Sequence, residues 1–386
     1  MPESLLSERI EPLDEFLRAC ARVELDEEDR ARIVDAAARV RDWSEAATSA
    51  DQHGLAPLVW HHARASGVDI SITEWKQMGA LVLRHRALGR AQADALGEIV
   101  DALDVAGIDH LILKGAILAH VLYPRPDLRP MSDLDILVAP AYTRRAQAIV
   151  GRLGFDAPAG QARRSHRFHH HLPMATRERD GVVVGVEIHA DAMSNDQPTS
   201  LRLGSLSQPP REFMVAGRGL RSLGHVDMLV HLSRHVLEPR ERTRLINVAD
   251  LVGYAAEYAS EIDWEFLHLR HPRVVNGLAL MHYVTPLPES LRVLRPPEAL
   301  SPPPGVGRGF APLSSVSLGG GVGRALGDLL YPPEWWMRVY YGVPPHRSLF
   351  AVRWGLHLWR VAYWIGRRVV SSATPGGRNT PASRAD

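Results

Sequence analysis

The sequence predicts an α+β fold, a small mixed β-sheet with helices packed on it and helical regions before and after it. Three observations lead there. Apolar residues recur at intervals of three and four through residue 105, the period shifts toward alternation between His110 and Asp191, and helical spacing returns between His225 and Tyr283. With 386 residues, 45% of them hydrophobic, the chain is long enough to bury a core of this kind.

Residues 1–105 read as a helical region: SLLSERIEPLDEFLRACARV, DEEDRARIVDAAARVRDWSEAATSADQHG, LAPLVWHHARASG and ITEWKQMGALVLRHRALGRAQADALGEIVDALDVAG. Asp26, Ser71 and Gly107 stand where helices should begin or end. His61, His62 and His85 fall inside these helices and are expected to be packed or exposed rather than ligands. The single cysteine, Cys20, excludes an internal disulfide and a cysteine-based zinc site, and its amphipathic setting predicts a buried thiol.

Residues 106–222 read as the α/β core. HLILKG is a short apolar strand ending in a turn, AILAHVLY is helical, SDLDILVAP alternates, and AYTRRAQAIVGRLGF is helical. HRFHHHLPMATRERDGVVVGVEIHAD reads as two strands joined by a polar turn at Glu178 to Gly181. Helices return over 223–295, a Pro/Gly-rich linker occupies 296–325, a tryptophan-rich helical segment 326–372, and a disordered tail 373–386. SLFAVRWGLHLWRVAYWIG carries Arg353 and Arg360, which excludes a membrane span. Docking on its own domain is the preferred role of this segment, ahead of contact with a membrane surface.

The formal net charge of +1 gives no basic excess that would point to nucleic acid. The arginines at Arg163, Arg164 and from Arg240 to Arg244 alternate with acids in the second cluster, which reads as a solvated helix end. The opening MPESLLSERIEPLDEF mixes acids and bases from its third residue, unlike a secretory signal, so a cytoplasmic location is expected.

The chemistry concentrates in HLILKGAILAHVLYPRPDLRPMSDLDILVAP. Side chains alternate along a strand, so Asp133 and Asp135 share one face while Leu134, Ile136 and Val138 share the other. Two carboxylates at that spacing repel one another unless a cation joins them, and a divalent metal is the natural partner. Magnesium takes one or two carboxylates together with waters and nucleotide phosphates. A third acid on a neighbouring strand would complete a two-ion site for in-line displacement at phosphorus, and VVVGVEIHAD supplies Glu187, with His189 on the same face.

Positive donors are also required. Of 45 basic residues only Lys76 and Lys114 are lysine, so Lys114 is read as chosen for its compact ammonium. Lys114, Gly115, Arg129 and Ser132 are the nucleotide- or phosphate-binding candidates. In HRFHHHLP, strand alternation would set His169 and His171 together beside Arg167, as accessory substrate contacts or an exposed polar face; zinc is disfavoured without a cysteine or a fourth ligand.

These residues resemble the nucleotidyltransferase superfamily, whose pattern is a glycine turn, a helix, a strand bearing Asp-x-Asp and a third acid on a later strand. Within it the chain is similar to a bacterial branch sharing Leu113-Lys114-Gly115, Leu122-Tyr123-Pro124, the run from Arg129 through Met131-Ser132-Asp133 and Asp135 to Val138, and Val186-Glu187-Ile188-His189. The likeness extends from about Trp43 to Tyr283, through DQHGLAPL and LINVADLV. Better known members carry Gly-Ser in the turn, where this chain has Gly115-Ala116.

The resemblance implies a nucleotidyltransferase-type sheet with Asp133, Asp135 and Glu187 as metal ligands and catalytic acids, two Mg2+ ions with Mn2+ as a substitute, and an NTP, first of all ATP, as donor. The acceptor would be a small molecule or a peptide or protein side chain. Alternatives on the same fold are a non-catalytic nucleotide-binding module and a toxin-like enzyme modifying protein or RNA.

Overall fold

The structure, a computed structural model, describes residues 12–157, 170–193, 199–215, 217–237 and 244–296, and scattered positions between 330 and 366. The expected linker and tail, and His166, Arg167 and His169, lie outside the described residues. The chain divides into two compact units, Met1–Ser317 and Leu318–Asp386. Everything described below up to residue 296 belongs to the first.

Five helices open the first unit: α1 (Pro12–Ala19), α2 (Glu27–Ala37), α3 (Trp43–Gln52), α4 (Ala56–Ala65) and α5 (Ile72–Val105). The stretch from Asp26 to Gly54, continuous in helical pattern, is two helices, because the chain leaves helical conformation after Ala38 and Asp42 starts a new one by accepting from the Ser44 and Glu45 N–H groups. Asp26 and Ser71 form capping boxes with Asp29 and Glu74, and Gly107 takes φ +63° just after α5. Phe16, Trp43, Trp75 and Trp60 meet ring to ring between the helices, with centroids 4.9 to 5.8 Å apart.

The sheet follows. Strand β1 (His110–Ile112) runs into α6 (Lys114–Val121); then come β2 (Asp133–Val138), α7 (Thr143–Arg152), β3 (Ala175–Arg179) and β4 (Val182–His189). The order is β1-β2-β4-β3, with β2 and β4 parallel at the centre and antiparallel strands on both sides. Leu134, Ile136, Val186 and Ile188 are fully buried on the face turned away from the acids. The β3–β4 turn is the two-residue loop Asp180-Gly181, both at positive φ, as a tight hairpin requires.

Upstream of β3, His171 pairs with His189 while Ala175 pairs with Val186, so four steps on one side meet three on the other. This bulge turns His171 onto the face that carries Glu187 and His189. A second hairpin, β5 (Arg211–Val215) and β6 (Arg218–Ser222), lies beside β1, with the Ser222 hydroxyl donating to the Ile112 carbonyl at 2.5 Å.

Helices α8 (His225–Leu237), α9 (Leu245–Glu257), α10 (Trp264–Arg270) and α11 (Pro272–Met281) close the unit. The start of α9 is tied to the end of α3: Leu245 N–H donates to His53 Nδ1 and Ile246 N–H to the His53 carbonyl, both at 3.2 Å. In the second unit, residues 350–363 are helical with a π-turn at Val352–His357, and His357 Nδ1 lies 2.9 Å from the Tyr341 hydroxyl. Among the described residues no helix is long and apolar enough to cross a membrane.

Candidate active site

The parallel pairing of β2 and β4 sets Asp135 directly against Glu187, Asp133 against Gly185 and Leu137 against His189. Residues paired in this way share a face, so Asp133, Asp135, Glu187 and His189 project together. They border a cleft of about 310 Å3 whose other walls are α6, the segment before β2, and helices α8 and α9.

Asp135 is the most enclosed of the acids, with 3% of its surface exposed. Its Oδ1 accepts from His189 Nε2 at 2.6 Å and its Oδ2 meets Lys114 Nζ at 3.0 Å. Burial alone would raise its pKa, but the charges of Lys114 and His189 overcome this and hold it well below the usual carboxylate range. In return Asp135 raises the pKa of His189 against the effect of burial.

Asp133 behaves in the opposite way. Burial and the like charges of Asp135 and Glu187 raise its pKa, although Lys114 opposes them and the Ser132 hydroxyl donates to it at 2.9 Å. Glu187 Oε2 lies 3.4 Å from both His171 Nδ1 and His189 Nε2. His171 Nδ1 also meets the Leu172 carbonyl at 2.8 Å.

Lys114 sits where the chain breaks from β1 into α6. Leu113 still pairs with the Asp135 carbonyl through its N–H, and Lys114 then takes φ +43°, a conformation that costs a non-glycine residue about 1–2 kcal/mol. That strain aims the ammonium at the carboxylates. Gly115 follows because Arg129 lies against it: a Cβ there would run into the Arg129 guanidinium and come within 2.9 Å of Met131 Cγ.

The structure commits Arg129 more firmly than the sequence implied. Its Nη2 lies 2.5 Å from Asp250 Oδ2 and its Nε 3.3 Å from Asp250 Oδ1, while the Tyr123 hydroxyl donates to the same Oδ1 at 2.8 Å. Arg129 still lines the cleft, as does Asp250. Asp250 was missed in the sequence, although it is the only acid in LINVADLVGYAA, and a lone carboxylate on an apolar helix needs a buried partner.

The far wall was also not read from the sequence. Arg234 and His235 from α8, and Arg244 and Asn247 at the start of α9, line the cleft together with His170. Arg244, expected in a solvated helix end, is half-buried, with its Nε donating to the Gln52 carbonyl at 3.2 Å. Burial and neighbouring cations keep His170 and His235 neutral, with pKa values far below the ordinary histidine value.

The donor set fits a divalent metal ion. Ligand atoms of Asp135, Glu187 and His189 lie within 4.8 Å of one another, and Asp133 projects on the same face. The upward shift of Asp133 comes first from burial and then from the like charges of Asp135 and Glu187, which a bound cation would offset. Mostly oxygen donors suit magnesium or manganese.

Three acids on adjacent strands of a small mixed sheet thus face cations across one cleft. The chain belongs to the family described as "Uncharacterised nucleotidyltransferase", whose model matches residues 39–274. It is a transferase of that class.

Solved structures with partial likeness include the solution structure of the antibiotic-resistance factor ANT(2'')-Ia, with 16% identity over 50% of this chain and 97% of that one and a TM-score of 0.34. Others are ANT(2'')-Ia in complex with adenylyl-2''-tobramycin, with 14% identity over 44% and 91% and a TM-score of 0.31, and an antigenic nucleotidyltransferase-like protein from Paracoccidioides brasiliensis, with 13% over 50% and 91% and a TM-score of 0.28. Comparison with curated proteins gives no match.

Proposed function

We propose that the protein moves NMP from an NTP, ATP first of all, to a hydroxyl or other nucleophile of a small molecule or a peptide or protein side chain, with release of pyrophosphate. The observation that carries this reading is the shared face of Asp133, Asp135 and Glu187 on β2 and β4, opposite a wall that includes Arg234 and Arg244. Acids and cations on opposite sides of one cleft match a metal-bound triphosphate, which needs carboxylates for its ion and basic groups for its oxygens.

In the transfer, the acceptor oxygen forms a bond to the α-phosphorus as the bond from that phosphorus to the bridging oxygen breaks. The electron pair leaves on pyrophosphate. Glu187, half-buried at the cleft edge, takes the acceptor proton. Asp133, Asp135 and Glu187 would hold the divalent ion, which when bound would supply positive charge to the phosphate oxygens. His189 fixes the orientation of Asp135, and Arg244 contributes charge from the opposite wall.

Pyrophosphate release tests this. The full chain with magnesium, each NTP and a panel of hydroxyl and amine acceptors is expected to release pyrophosphate, and an Asp133→Ala, Asp135→Ala double variant is not. Equal behaviour of the two proteins would overturn the reading.

A further inference from the structure

Lys114 is placed unlike a residue reserved for a phosphate. Its ammonium lies 3.0 Å from Asp135 Oδ2, on the flank of that carboxylate away from His189, which holds Oδ1 at 2.6 Å. Both oxygens of the central acid therefore already have a cation or N–H donor against them. A two-ion site needs such an acid to serve two ions roughly 3.5 to 4 Å apart, one on each side.

Three further observations make this arrangement a built one. Lys114 holds a left-handed backbone, φ +43°, that keeps its side chain at the turn. Its neighbour is the glycine against which Arg129 packs, so the turn is fixed from below. The position is also one of only two lysines in a chain whose other 43 basic residues are arginine, and an ammonium is a compact point charge where a guanidinium is a broad planar fork.

We propose that Lys114 takes the place of one of the two divalent ions, so that the protein works with a single divalent ion. This rests on the nucleotidyltransferase reading. Of the three carboxylates Asp135 is already matched by Lys114 and His189, which leaves Asp133 and Glu187 to be matched by a single divalent ion. Asp133 and Glu187 would hold that ion together with Asp135, whose Oδ2 Lys114 already meets at 3.0 Å.

Counting Mn2+ on the full chain in complex with α,β-methylene-ATP tests this by electron paramagnetic resonance. The expected result is one Mn2+ per complex, with the six-line spectrum of an isolated ion, and two per complex for Lys114→Met. A spin-coupled pair in the wild-type complex overturns the proposal without reference to any variant. One ion in both wild type and a folded Lys114→Met also overturns it, because the ammonium then excludes nothing. A chain that retains neither Mn2+ nor the analogue overturns the nucleotidyltransferase reading itself, an outcome distinct from the other two.

Discussion

Arg129 and Asp250, 121 residues apart in the chain, form a buried ion pair that joins the segment before β2 to helix α9. Only 10% and 2% of their side chains are exposed, and Tyr123 donates to the same carboxylate. Both residues line the cleft, so the pair ties two of its walls together. Asp250→Ala leaves a guanidinium buried without its counter-charge, which costs about 3–5 kcal/mol. Urea unfolding followed by circular dichroism measures it; a loss under about 1 kcal/mol would show that the pair is not the joint described here.

Gly115 gives a second prediction. The Cβ of Gly115→Ala has no room beside Arg129 and Met131, so the guanidinium must shift. Overpacking of this kind costs about 1–3 kcal/mol. Stability and nucleotide affinity should fall together, and Arg129→Met should restore the tolerance of alanine at 115. Unchanged stability in Gly115→Ala would contradict the packing.

Much of this site was legible in the sequence, and the reasons are physical. Alternation in SDLDILV and VVVGVEIH fixes which side chains share a face, because the period of a strand is two. The register that sets Asp135 against Glu187 is not in either segment; it comes from the parallel pairing, which local pattern does not specify. Asp250 and Asn247 were missed, and Arg244 was read as part of a solvated helix end, for a related reason. They lie more than 50 residues after β4 and reach the cleft only because His53 anchors the start of α9. The β5–β6 hairpin was also missed, since REFMVAGRGLRS shows little alternation of apolar and polar residues.

His189 gives the third prediction. Its Nε2 orients Asp135 from a fully buried position, the arrangement in which an outer partner tunes a metal-binding carboxylate. His189→Gln should weaken Mn2+ binding by about 10–100-fold. Isothermal titration with Mn2+ checks it, and unchanged affinity would remove His189 from the site.

Acid stability gives the fourth. Burial lowers the pKa of both His53 and His62 to about 4. His53 Nδ1 accepts the Leu245 N–H, so a proton there would break the tie to α9, and His62 Nε2 bonds the Arg22 carbonyl at 2.8 Å. In the unfolded chain each takes its proton near pH 6.5. Between pH 6.5 and about 4 the unfolded state therefore holds more protons, and stability falls as pH falls. Each histidine accounts for roughly 3 kcal/mol across that window. Urea midpoints measured from pH 7 to pH 4.5 should decline, with a shallower slope in His62→Gln; a flat profile would contradict the neutral burial of these rings.

Transfer of label from nucleotide to acceptor reads out the chemistry of the cleft itself. The full chain is incubated with magnesium, cell extract and each NTP labelled at the α-phosphate. Nucleotidyl transfer through Asp135 requires label on a discrete acceptor, with one pyrophosphate released per transfer, and its loss in Asp135→Asn. Label that stays entirely on nucleotide with every NTP, or transfer that persists in Asp135→Asn, would contradict it.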